Sequence, residues 1–239
     1  MITGAARGIG RAIAEAGAAR GMRLVLADID AAELERTSAD LRGRGATATP
    51  VATNVAVADD VERLADAAFE QGDVNLVCLN AGIASVGRSW ELSLAEWTRV
   101  IDVNLWGVVH GVRSFVPRML ASGAEGHVLI IASMASLMAR PEIAPYTVAK
   151  HGVLGLGETL ARELDDAGAP IGVSIVFPGR VATSIGGASP HGPDVQTPEQ
   201  VAARALDAVR GNELFVLTHA DRAADVRTRL DAIIRKGGR

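Results

Sequence analysis

The sequence predicts an α/β protein: a doubly wound parallel sheet with helices over both faces. Three observations lead there. Short apolar runs of strand length recur along all 239 residues. Longer stretches with apolar residues at helical spacing separate them. The first helical stretch follows a glycine-rich turn, Thr3-Gly4-Ala5-Ala6-Arg7-Gly8-Ile9-Gly10. Strands that are apolar throughout, rather than alternating, belong to a sheet covered on both sides.

In chain order, residues 1–3 form a first strand ahead of the turn, and a helix follows near 9–20. Strands at 24–27, 48–52, 76–79, 128–132, 173–177 and 214–217 alternate with helices near 31–43, 59–71, 94–121, 146–167, 198–210 and 221–236. Ser93 with Glu96 and Thr197 with Gln200 have capping-box spacing, and Pro198 takes a first helical position. The long 94–121 helix carries Trp97, Trp106 and Phe115 as core-packing residues, with a kink expected at Pro117. Residues 5–23 are rich in Ala and Arg like a transit peptide, but their glycine pattern marks a folded helix. No repeat, low-complexity tract or linker interrupts the series, so residues 1–239 read as a single domain. The first strand of such a sheet is central, and residues 1–3 are too few to pair fully with two neighbours. The expectation is a truncated first strand, with the native chain starting upstream of Met1.

Hydrophobic residues make up 49% and aromatics 3%, so the core is built from Ala, Val, Leu and Ile. No apolar run approaches the roughly 18 residues of a membrane span, and no membrane partner is expected. The net charge of −4, with both signs dispersed, argues against nucleic acid, which requires a concentrated basic surface. Cys78 is the sole cysteine, which excludes an intramolecular disulfide and suits a reducing, cytoplasmic setting. It lies in an apolar run and reads as a buried structural thiol. No metal is expected.

Gly4, Gly8 and Gly10 are spaced Gly-x-x-x-Gly-x-Gly. Such a turn lets backbone approach a pyrophosphate closely, and the helix start behind it offers free N–H groups. The alternative is a strand–helix turn that is glycine-rich for steric reasons only. Asp28 follows the second strand, about twenty residues beyond the glycines, where a carboxylate accepts from ribose hydroxyls and repels a 2′-phosphate. That favours NAD over NADP. Arg7 pulls the other way, because a guanidinium there can pair with the phosphate, unless it is only a solvated residue at the helix start. NAD is the expected cofactor, with NADP left open.

Tyr146 and Lys150 stand four residues apart on one helix face, and Tyr146 is the only tyrosine. A free phenol has a pKa of about 10, and a nearby cation lowers it toward a range useful for proton transfer. Tyr-x-x-x-Lys also arises as an ordinary amphipathic pair, so the spacing alone does not decide.

Several motifs in order resemble the short-chain dehydrogenase/reductase family from Thr3 to at least Thr183. They are the 3–10 turn, Asn80-Ala81-Gly82, Asn104 within Val103-Asn104-Leu105, Ser133 thirteen residues before Tyr146, the Tyr146/Lys150 pair, and Pro178-Gly179 with Val181 and Thr183. The resemblance implies a Rossmann-type sheet of about seven strands in the order 3-2-1-4-5-6-7. It also implies an oxidoreductase that interconverts a secondary alcohol and a ketone. Tyr146 would be the acid/base, and Ser133 would hydrogen-bond the reacting oxygen. Lys150 would lower the Tyr146 pKa and bind the nicotinamide ribose, while Asn104 would hold a water in a proton relay. Gly4, Arg7, Gly8, Ile9, Gly10, Asp28, Asn54, Val55, Asn80, Ala81, Gly82, Tyr146, Lys150, Pro178, Gly179, Val181 and Thr183 would contact the cofactor. Two departures stand out. Asn54 replaces the usual aspartate before Val55, where its carbonyl can still accept, so a weaker adenine contact is expected to survive, and Ser136 replaces a common glycine, which is expected to narrow the pocket.

Met134, Leu137, Met138 and Ile143 are expected to give an apolar substrate wall, with Arg140 and Glu142 as polar contacts. Residues 184–198 would form a flexible lid, in which His191 is a solvated loop residue. The expected substrate is a hydrophobic secondary alcohol or ketone. The resemblance further implies a homodimer or homotetramer. Two competing readings are a non-catalytic nucleotide-sensing or scaffold protein, and an epimerase or dehydratase working through a transient ketone. Loss of Tyr146, Lys150 or Ser133 would favour the first. The second usually needs a longer substrate domain.

Overall fold

Successive side chains of a strand point to opposite faces, and here both sets are apolar. The computed structural model describes residues 1–183, 185 and 194–237. Its strands are β1 (Ile2–Thr3), β2 (Leu24–Asp28), β3 (Ala48–Ala52), β4 (Leu76–Leu79), β5 (Gly126–Ile131), β6 (Ile171–Phe177) and β7 (Phe215–Leu217). All pair in parallel in one seven-stranded sheet of order β3-β2-β1-β4-β5-β6-β7, as expected. Pro50 has no N–H to donate, and it is tolerated because β3 lies at the sheet edge.

Helices α1 (Gly8–Ala18), α2 (Ala31–Gly43), α3 (Ala58–Phe69), α4 (Leu94–Ile101), α5 (Gly107–Ser122), α6 (Ala144–Asp166), α7 (Pro198–Gly211) and α8 (Ala223–Gly237) alternate with the strands. Val77, Leu79, Val128, Ile130 and Ile175 pack with α3, α5 and α6 in one core layer. Leu24, Leu26, Cys78, Leu129 and Val176 pack with α1, α2 and α7 in the other. Cys78 is fully buried, and burial pushes its thiol up to about 12, so it is inert packing material as expected. Both expected capping boxes form, at Ser93/Glu96 on α4 and Thr197/Gln200 on α7.

The helix expected over 94–121 is interrupted by a π-helical turn, Asp102–Trp106, between α4 and α5. The turn changes which side chains face inward. Asn104 becomes fully buried, whereas Trp106 is 48% exposed instead of packing in the core. Phe115 is buried, Trp97 only partly so. Pro117 lies within α5, which continues past it to Ser122. In β1, Ile2 pairs with both Leu26 and Cys78. The main chain of Met1 extends the pairing, donating to Leu76 O and accepting from Cys78 N, each at 2.8 Å. The stretch expected as a lid lies largely outside the described residues, His191 included. Its far end is tied down, with Gln196 N donating to Arg180 O and accepting at its carbonyl from Ala182 N, both at 3.0 Å.

At the N-terminal ends of the strands, away from the loops that carry the functional residues, sits a buried polar chain. Ser174 Oγ donates to Glu213 O at 2.6 Å, so at 2.9 Å it accepts from His127 Nε2–H. Burial lowers the His127 pKa to about 4. The folded chain therefore holds the imidazole neutral, while the unfolded chain protonates it near its ordinary value of 6.5. This contribution to stability is fully present above pH 6.5 and is lost as the pH falls through about 4. We expect the thermal midpoint to drop over that window by less in His127→Gln, which keeps a donor for Ser174. Parallel melting curves of the two proteins would refute the assignment.

Candidate active site

The loops after β1, β2, β4, β5 and β6 leave the C-terminal edge of the sheet and enclose one cleft of about 1690 Å³. That exceeds the roughly 300–1,000 Å³ of a single small-ligand pocket, leaving room for an extended ligand and a second molecule.

At one end the chain leaves β1 through Gly4 and Gly8, both at positive φ (+65° and +58°), and enters α1. The first N–H groups of a helix have no partner within it. Gly8 and Ile9 line the cleft there, and the first turn of α1 holds no acidic residue to repel an anion. Thr3 and Asn80 fix the turn. Thr3 Oγ1 accepts from Asn80 N and Ala81 N at 3.0 and 3.1 Å, while Asn80 Nδ2 donates to Thr3 O and Gly4 O at 2.9 and 3.1 Å. Gly10 departs from expectation: it is buried and does not line the cleft. A Cβ there would lie 2.1 Å from Gly4 O, so its part is to let α1 close against the turn. These features fit a dinucleotide pyrophosphate.

Asp28 lines the cleft where β2 ends. Its oxygens accept from Ala6 N and Asp30 N, both at 3.1 Å, and each keeps a further lone pair. Arg7, beside it, makes an ion pair with Asp30. The Asp30 carboxyl sits below the usual carboxylate range, chiefly through the N–H of Glu33 and also through Arg7. Asn54 and Val55 line the same end, with Asn54 Oδ1 accepting from Ala56 N at 3.1 Å in an Asx-type turn. The Asn54 carbonyl thus has one lone pair engaged already.

At the other end the cleft is lined by Ser133, after β5, and by Tyr146 and Lys150 on α6. Lys150 is 2% exposed, its Nζ donating to Ile131 O at 2.8 Å and lying 5.7 Å from the Tyr146 ring centroid. Burial lowers the ammonium to about 8. Contrary to expectation, the Tyr146 phenol lies above its ordinary value in this state. Burial raises it more than the Ser133 hydroxyl lowers it. Asn104 differs too. It is fully buried and does not line the cleft, and its Nδ2 hydrogens go to Ile83 O and Val100 O at 2.9 and 2.8 Å. Its Oδ1 accepts from Ile83 N at 3.2 Å, so the side chain anchors the loop after β4. The anchor lies close to Gly82, where a Cβ would be 2.8 Å from Asn104 Oδ1.

Ala81, Gly82, Pro178, Gly179, Val181 and Thr183 complete the lining. Of the residues expected at a substrate wall, Met134, Met138, Ile143 and Arg140 line the cleft, but Leu137 packs against the core and Glu142 does not line the cleft. Glu142 adopts a left-handed φ of 64°, and its carbonyl accepts from Gly87 N at 2.8 Å, a structural use. Ser136 is 1% exposed, its hydroxyl is buried and it does not line the cleft, so it does not narrow the pocket. His219 and Asp30 are among the residues in or beside the cleft that the sequence reading did not single out. His219 lines it, with Nδ1 accepting from Gly179 N at 3.2 Å and Nε2 facing Asp194 O at 3.2 Å. A lone histidine after the last strand gives no signal of this. Asp30, three residues before Glu33 at a helix start, carried a capping signal but none for its pairing with Arg7.

The model of the short chain dehydrogenase family matches residues 1–193. The chain is 36% identical over 243 residues to 1-deoxy-11-beta-hydroxypentalenate dehydrogenase of Streptomyces exfoliatus, covering 98% of this chain and 88% of that one. A short chain dehydrogenase/reductase from Burkholderia phymatum, solved in complex with NAD, superimposes with a TM-score of 0.93 at 37% identity, covering 98% of this chain and 93% of that one. An alcohol dehydrogenase from the archaeon Thermococcus sibiricus, complexed with 5-hydroxy-NADP, gives a TM-score of 0.80 at 30% identity over 90% and 92% of the two chains. Among the described residues no helix is long and apolar enough to cross a membrane. Sheet order, glycine turn and sequence likeness agree: the chain belongs to the short-chain dehydrogenase family and is an oxidoreductase.

Proposed function

We propose that the protein interconverts a secondary alcohol and a ketone with NAD, favoured over NADP, and that Tyr146 transfers the proton. The observation that carries this reading is one cleft lined at one end by the glycine turn and at the other by Ser133, Tyr146 and Lys150. Two relatives support it by what they are called, an alcohol dehydrogenase and a dehydrogenase of a hydroxylated pentalenate.

The nicotinamide, when bound, supplies the hydride chemistry. Gly4, Gly8 and Ile9 would hold the pyrophosphate, and Arg7, Asp28, Asn54 and Val55 would stand at the adenosine end. Asn80, Ala81, Gly82, Lys150, Pro178, Gly179, Val181 and Thr183 hold the rest. Tyr146 gives its hydroxyl proton to the carbonyl oxygen in reduction and takes a proton from the alcohol in oxidation. Ser133 donates a hydrogen bond to that oxygen as negative charge gathers on it. The Lys150 ammonium favours the phenolate electrostatically, and Asn104 keeps the loop beside it in place. Burial raises the phenol above its ordinary value and the Ser133 hydroxyl opposes that shift. The Met134, Met138 and Ile143 wall suits an apolar substrate body.

Assembly as a dimer or tetramer belongs to the same reading, supported by exposed apolar Trp106 and Val148 on neighbouring elements. A single domain is supported by the one sheet, and a cytoplasmic setting by the lone buried thiol.

Tyr146→Phe is expected to lower kcat by about 10²–10⁴-fold while calorimetry finds NAD affinity nearly unchanged. Near-normal turnover would overturn the role. Asp28→Ala should relax discrimination against NADP, read as the ratio of the two kcat/KM values; a constant ratio removes Asp28 from that choice. If a panel of secondary alcohols and ketones gives no turnover while NAD still raises the thermal midpoint, the nucleotide-sensing reading replaces this one.

A further inference from the structure

We propose that Asp30 is a specificity-determining residue: its ion pair with Arg7 withholds from a ribose 2′-phosphate the cation standing beside Asp28. The inference rests on the NAD reading above and explains how a chain with an arginine in its glycine turn could still prefer NAD.

Arg7 precedes the second glycine of the turn and lines the cleft, as Asp28 does. Free, its guanidinium would be a ready partner for a phosphate. In the structure it reaches the corner after β2 and pairs with Asp30 Oδ2. Asp30 is itself held from two directions. Its Oδ1 accepts from Glu33 N at 3.1 Å and so caps α2, while its N–H donates to Asp28 Oδ1 at 3.1 Å. The acceptor for Arg7 is therefore fixed to the residue that faces the ribose. Arg36, the other guanidinium at this corner, pairs with Glu33.

The charge count follows. Beside the mutually neutralised Arg36–Glu33 pair, an incoming 2′-phosphate meets the Asp28 and Asp30 carboxylates and an Arg7 guanidinium already neutralised by Asp30. With Asp30 uncharged, it meets one carboxylate and one unpaired guanidinium. The Arg7 and Asp30 side chains are 57% and 41% exposed, so the pair adds little to stability. Its effect is on where the guanidinium points. Asparagine is as good a helix cap as aspartate, so Asp30→Asn removes the charge and keeps the start of α2.

The test is a four-protein cycle: wild type, Asp30→Asn, Arg7→Ala and the double variant, with NAD and NADP affinities measured by calorimetry. Asp30→Asn should shift the affinity ratio toward NADP by about tenfold, the size of one charge-assisted contact. The shift should vanish in the Arg7→Ala background. An unchanged ratio in Asp30→Asn overturns the proposal, as does an equal shift with and without Arg7, which would mean simple repulsion by Asp30. If Asp30→Asn does not fold, Asp30→Ser, also a capping residue, is read against the same outcomes. Should wild type bind NADP as tightly as NAD, the NAD reading fails by itself, while the cycle still decides whether Asp30 restrains Arg7.

Discussion

The clasp between Thr3 and Asn80 is the interaction on which the cleft depends. A parallel sheet wound in both directions from its centre parts its connecting loops where the order reverses, here between β1 and β4. That parting makes the crevice, but it also leaves two loops to be set against each other. Four hydrogen bonds do this, two accepted by one hydroxyl and two donated by one carboxamide. They involve main-chain groups of the glycine turn, so that turn and the loop running on to Gly82 are held as one piece.

Burial sets the chemistry at the far end as much as charge does. Lys150 is almost wholly enclosed, which lowers its own proton affinity and brings it closer to exchanging a proton near neutrality. Its Nζ is satisfied by a carbonyl of β5 rather than by a carboxylate. Among the described residues no carboxylate pairs with it. Enclosure penalises the phenolate as well, so the two groups are poised by opposing shifts of common origin.

Much of this was legible in the sequence. The apolar runs gave the strands, because a sheet covered on both faces leaves no polar alternation to interpret, and their identities divide cleanly between two core layers. Ser93 and Thr197 announced their helices through side chains that do local work. What stayed hidden was non-local or a matter of register. Apolar periodicity does not distinguish a π turn from the α-helix around it, so the exposure of Trp106 and the inward anchoring of Asn104 could not be foreseen. Gly10 looked like a ligand-facing glycine because the pattern records where glycine is required, not whether a ligand or a carbonyl requires it. Asp30 and His219 act on partners 23 and 40 residues away, at distances no local spacing encodes.

The π turn sets helix strength against placement. It can be viewed as one residue too many within an α-helical run, with poorer hydrogen-bond geometry than its flanks. Deleting that residue would restore a uniform helix, yet each residue of an α-helix turns the following ones by about 100°. Asn104 would swing off its contacts with Ile83, and the loop beside Lys150 would lose its tether. At this turn, helix regularity and the placement of the loop beside Lys150 are therefore in direct opposition.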